Sequence, residues 1–163
     1  MMQSITDGII RIMADGLVIP IVIIAAWALW FRIPKKSRFE RVSRGVVAGL
    51  IALFIAKVLS LTYQEGERPF VEMGIQAKAA YLNNPGFPSD HVLFVFCITL
   101  VVWAATKDKK VSLILLILSI LVAFGRVLAL VHTPLDVLGG LACAIIAVHI
   151  VYGKSLYTSR LPQ

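Results

Sequence analysis

The sequence predicts an all-α fold: a polytopic membrane helix bundle of about five transmembrane helices, in a single domain spanning residues 1–163. Three observations carry that expectation. Hydrophobic residues make up 59% of the chain and the mean hydropathy is +0.87, too apolar for a water-soluble fold. Five apolar runs approach the roughly 20 residues that a bilayer crossing needs. Cations collect between alternate runs, as the positive-inside rule requires of a multi-pass chain.

Residues 1–16 hold one cation, Arg11, and two acids, with no basic stretch before an apolar core. No cleavable signal peptide is therefore expected. Ile5, Ile9, Ile12 and Met13 recur at helical spacing. This segment suits either an amphipathic helix lying in the outer interface or an extension of the first span. The apolar runs follow at residues 17–31, 45–63, 91–105, 111–131 and 135–152. The first and third are short and are expected to borrow flanking residues.

Charge sets the expected orientation. Lys35, Lys36, Arg38, Arg41 and Arg44 stand against Glu40 alone between the first two runs. Lys107, Lys109 and Lys110 separate the third and fourth runs, and Lys154 and Arg160 come at the end. These regions are expected in the cytoplasm. The N-terminus, residues 64–90 and the turn at His132 are then expected outside. The net charge of +7 follows from topology, with anionic lipid as sufficient partner and no nucleic acid needed. Cys97 and Cys143 fall inside runs and suggest neither a disulfide nor a metal site. His149 stands near the cytoplasmic end of the last run without polar company and is expected to be structural.

The remaining polar residues are costly in such a chain and share the outer side. Arg126, His132 and Asp136 form a phosphate-chemistry set: a planar fork for oxygens, an imidazole active near neutral pH, and a carboxylate to hold that imidazole. Ser89 and His91 open the third run, and Thr133 and Pro134 open the fifth as N-cap and first helical residue. Two helix N-termini meeting there would favour an anion. Each residue also has a plain reading. Ser89 can be only an N-cap, Asp136 can complete a capping box, and Arg126 can reach for outer headgroups.

The motifs Lys57…Arg68-Pro69, Pro88-Ser89-Asp90-His91 and Arg126-x5-His132-x3-Asp136 together resemble the signature of the type-2 phosphatidic acid phosphatase superfamily. The third motif matches in full spacing. The second has Asp90 where the family usually has glycine. The first has ten residues between Lys57 and Arg68 where six are usual. On one continuous helix the pair would stand about 16 Å apart along the axis. The chain is therefore expected to bend near Gly66, to hold Lys57 deeper, or to use Lys78 instead. The stretches around Arg68-Pro69-Phe70-Val71, Phe87–His91 and the residues after His132 look like the bacitracin-resistance branch of undecaprenyl-diphosphate phosphatases.

That resemblance implies hydrolysis of a lipid diphosphate in a bacterial-type plasma membrane, on the extracytoplasmic side. It implies His132 as nucleophile, Asp136 as its support and His91 as acid and base. Arg68, Arg126, Ser89 and Lys57 would bind the phosphate. The cations are side chains, so no metal or other cofactor is expected. The competing readings are a phosphatidate or phosphatidylglycerophosphate phosphatase, a lipid phosphotransferase, and a non-catalytic lipid-phosphate carrier.

Overall fold

The computed structural model describes residues 2–63, 66–82, 84 and 86–157. Its elements are helices throughout, with no strand among the described residues. Helix α1 (Met2–Arg11) runs into a π-helical turn (Ile12–Gly16) and on into α2 (Val18–Phe31). The Leu17 N–H reaches back five residues to the Ile12 carbonyl at 2.9 Å. Ser4–Phe31 is thereby one helical run of 28 residues, long and apolar enough to cross a membrane. The N-terminal segment thus continues into the first span.

Helix α3 (Lys35–Thr62) is also 28 residues long. The basic stretch after Pro34 is helical, although it reads as a connection in the sequence. Lysine, arginine and glutamate are good helix formers, and Pro34 takes the N-cap position just before them. The helix stops at Thr62, and Gly66 (φ +51°) turns the chain. A short helix α4 (Pro69–Glu72) follows. Three long helices complete the fold: α5 (Asp90–Thr106), α6 (Lys109–Leu128) and α7 (Pro134–Tyr157).

Among the described residues four helical runs are long and apolar enough to span, and α5, with 17 residues, is shorter. It is also the most enclosed. It packs on α2, α3, α6 and α7, and residues such as Val92, Val95 and Val102 are fully buried. The outer helices turn Ile23, Leu50, Phe54, Ile117 and Ile150 outward, as a lipid-facing surface requires. Small residues bring the helices close. A Cβ added at Gly45 of α3 would lie 2.7 Å from Val101 of α5. Between α5 and α6, Thr99 and Ser119 share a buried hydrogen bond of 2.9 Å.

One end of the bundle gathers the cations. Arg32, at the end of α2, pairs with Asp108 before α6 at 3.4 Å. Arg41 donates to the Ala105 carbonyl at the end of α5, and Arg44 to the Val151 carbonyl on α7. The Tyr152 hydroxyl returns a bond to the Arg41 carbonyl at 2.7 Å. Helix C-termini carry unpaired carbonyls and negative dipole charge, so arginines suit that end. The opposite end carries the π-turn, the described residues between Gly66 and α5, and the turn between α6 and α7.

Candidate active site

The start of α7 is built around Thr133. Its hydroxyl accepts the Asp136 N–H at 3.2 Å, and an Asp136 carboxylate oxygen accepts the Thr133 N–H at 2.7 Å. This is a reciprocal capping box. The same oxygen lies 3.4 Å from His132 Nδ1. Asp136 therefore caps the helix and holds the imidazole together. His132 is buried, which pushes its pKa below the ordinary histidine range. The Asp136 hydrogen bond opposes that push, and Arg126 and Arg68 reinforce it.

The start of α5 meets the start of α7. The Ser89 N–H donates to the Asp136 carbonyl at 2.9 Å. Gly140 permits this approach, since a Cβ there would lie 2.5 Å from the Ser89 carbonyl. Gly139 does the same for the Phe87 ring, and the Phe87–Pro88 peptide bond is cis. Ser89 takes the N-cap position of α5 but makes no side-chain capping bond. Its hydroxyl oxygen is buried with no hydrogen-bond partner among the described residues.

Arg126, on the last turn of α6, is 1% exposed. One guanidinium nitrogen lies 2.6 Å from Asp15 on the π-turn, while its buried Nε has no partner among the described residues. The same Asp15 oxygen is 3.7 Å from His91 Nε2. Arg68 is buried beside the turn, donating to the Val131 and Leu82 carbonyls and to the Asn84 side chain. Its guanidinium also stands 5.5 Å over the Tyr81 ring. Asp136 and Asp90 favour its charge against the cost of burial.

Six residues singled out from sequence thus share one end of the bundle: Arg68, Ser89, His91, Arg126, His132 and Asp136. Lys57 stands apart. Its side chain is exposed on α3 and has no hydrogen-bond or ion-pair partner among the described residues. Its spacing from Arg68 resolves as a bend, because α3 ends between them. Lys78 pairs with Asp7 at 2.9 Å instead. Asp90 opens α5, half-buried. His149 lies thirteen residues along α7 from Asp136, about 20 Å of helical rise.

Asp15 is the residue that sequence reading missed. The available signal was an acid inside what proves to be a spanning helix, where ionisable groups are rare and functional. It lay hidden at the edge of an apolar run. Among the described residues no group of three or more His, Cys, Asp or Glu side chains is arranged to hold a metal ion.

A membrane-spanning helical bundle with two buried arginines and two histidines around unpartnered donors has the constitution of an integral-membrane phosphatase. Residues 44–159 match the PAP2 superfamily, and the chain belongs to that superfamily. It is similar to "Undecaprenyl-diphosphatase BcrC" of Bacillus subtilis (strain 168), with 29% identity over 144 residues, 88% of this chain and 72% of that protein. It is also similar to "Putative undecaprenyl-diphosphatase YbjG" of Escherichia coli (strain K12), 28% identical over 131 residues, 79% of this chain and 62% of that one. No solved structure matches it. Family and relatives agree on a phosphatase, a hydrolase.

Proposed function

We propose that the protein hydrolyses a lipid diphosphate, undecaprenyl diphosphate first among candidates, releasing inorganic phosphate and leaving the lipid monophosphate. The names of the two relatives support that substrate. The reaction takes place on the extracytoplasmic side, because the cluster lies at the end of the bundle opposite Arg32, Arg41 and Arg44. The lipid tail stays in the bilayer while the headgroup reaches the starts of α5 and α7.

The observation that carries this reading is a pair of buried polar atoms, Ser89 Oγ and Arg126 Nε, without a partner among the described residues, at the site of His132. Buried polar groups normally find partners, and one bound phosphate supplies them to both. Asp136 occupies the Nδ1 side of His132, which leaves Nε2 to attack the terminal phosphorus. The P–N bond forms as the bond to the bridging oxygen breaks. His91 gives its proton to that oxygen, then takes one from the water that cleaves the phosphohistidine. Arg68, Arg126 and Ser89 hold the non-bridging oxygens through the transition state. Lys57 has no part in the step, given its exposed position.

The test is phosphate release by purified protein from undecaprenyl diphosphate, undecaprenyl phosphate, phosphatidate and phosphatidylglycerophosphate, with His132→Ala as control. Preferential release from the prenyl diphosphate is expected. Preference for a glycerolipid would move the substrate assignment. Lipid binding without phosphate release would make the protein a carrier, and release that requires an acceptor lipid would make it a transferase.

A further inference from the structure

Asp15 precedes residues 44–159, the stretch that matches the family, yet its carboxylate enters the cluster. Oδ1 lies 2.6 Å from an Arg126 guanidinium nitrogen and 3.7 Å from His91 Nε2. Oδ2 accepts the Ala80 N–H at 2.8 Å. One carboxylate therefore joins α6, α5 and the segment before α5. Its own backbone is held on two sides. The π-turn is closed by the Leu17 to Ile12 hydrogen bond, and α6 lies directly against it at Gly125. A Cβ at Gly125 would stand 2.6 Å from the Ala14 nitrogen. Single π-turns of this kind gather at functional positions.

A carboxylate beside a phosphate site repels the substrate, so its placement needs a counterweight. His91 provides one. The charged and titratable groups facing it are Asp15 from the π-turn, Arg126 from α6, His132 from the outer turn and Asp90 from α5 itself. A general acid must arrive at the reaction carrying its proton. Burial works most strongly against that proton, Arg126 adds to the effect, as does His132 when charged, and the carboxylate of Asp15 is the first group to oppose them. Each site histidine thus has its own acid: Asp136 at Nδ1 of His132, and Asp15 at Nε2 of His91.

We propose that Asp15 is a positioning residue for the hydrolysis, holding Arg126 and His91 in register and keeping His91 competent to protonate the departing lipid phosphate. This rests on the mechanism proposed above. With Nε2 turned to Asp15, Nδ1 of His91 is the nitrogen left for the bridging oxygen. The proton passes from His91 to that oxygen as the P–O bond breaks. Asp15 exchanges no proton in this step.

Asp15→Asn removes the charge and keeps the shape. The full-length variant is assayed in detergent on undecaprenyl diphosphate, or on phosphatidate if the panel favours it. We expect kcat to fall between about 10-fold and 100-fold, part of the ~10²–10⁴ that general acid catalysis supplies, with KM little changed. The alkaline limb of the pH profile should move about one unit lower, because the acid loses the charge that holds its proton. Gly125→Ala pushes the π-turn off α6 without removing a titratable group, and the same displacement of the limb is expected. If Asp15→Asn does not purify folded, Gly125→Ala decides on that criterion.

An alkaline limb that stays in place overturns the inference, whatever happens to kcat, since lost stability alone does not move it. A lower KM with undiminished kcat also overturns it, and would make Asp15 a competitor of the phosphate. His132→Ala separates the two levels. Full activity there sinks the mechanism itself, whereas a dead His132→Ala with an unmoved limb in Asp15→Asn sinks only the role of Asp15.

Discussion

The Ser89 N–H donates to the Asp136 carbonyl at 2.9 Å, so the first turns of α5 and α7 are fastened to each other. The consequence is a site whose two histidines are set by main chain as much as by side chains. His91 rides on the helix that Ser89 opens, and His132 precedes the helix that Asp136 caps.

Gly140→Ala should therefore act on catalysis from outside the cluster. Its Cβ would meet the Ser89 carbonyl at 2.5 Å and part the two helix starts. Overpacking of this kind costs about 1–3 kcal/mol. A misplacement near 1 Å costs roughly 100-fold in rate. Thermal unfolding in detergent and phosphate release measure the two effects separately, and a variant with native kcat would show that the fastening is not needed.

Ser89→Ala distinguishes an N-cap from a phosphate ligand. A lost cap lowers stability by about 1 kcal/mol. Here the Ser89 hydroxyl makes no capping bond, so the melting temperature is expected to hold or rise while kcat/KM drops by about 10-fold or more. A destabilised variant with unchanged kcat/KM would return Ser89 to the capping role.

Asp136 should show two losses where Thr133 shows one. Asp136→Asn weakens both the capping box and the support of His132, and kcat is expected to fall by up to about 10⁴-fold. Thr133→Ala removes only the hydroxyl side of the box. It is expected to cost about 1 kcal/mol with kcat nearly intact. Equal kinetic losses in both would contradict the division of labour.

The acid limb of the kcat/KM profile reports His132. Burial lowers its pKa from the ordinary 6.5, and only the neutral ring can attack. Activity should therefore persist below pH 6.5 and fall as pH drops through the lowered value. Asp136→Asn, which removes the charge opposing that shift, should carry the limb lower still. A midpoint above 6.5 in the unaltered protein would refute the assignment.

Much of this was legible in the chain. Thr133-Pro134-Leu135-Asp136 reads as a capping box because its chemistry is local, and the structure contains that box. The apolar runs, too, mark the helices, since lipid leaves the backbone few other choices. The departures are where tertiary placement decides. Nothing in residues 1–16 announces that a π-turn will set Asp15 against Arg126, 111 positions away. Lys57 shows the converse. Its motif position suggests a phosphate ligand, but the helix ends at Thr62 and its side chain remains on the outer surface of α3. Lys57→Ala is accordingly expected to leave kcat/KM within about twofold, as surface changes usually do. A larger loss would require Lys57 to reach the substrate.

Arg41 and Arg44 have a consequence for biogenesis. Under the proposed orientation they are topogenic charges, held back in the cytoplasm while α3 inserts. In the finished bundle they are also latches, closing on the carbonyls of Ala105 and Val151. Since α5 and α7 follow α3 in the chain, these latches wait on the correct side for partners made later. A wrongly inserted α3 would strand them in the opposite compartment. Misinsertion would then announce itself as a bundle that cannot close, a form that membrane quality control can recognise.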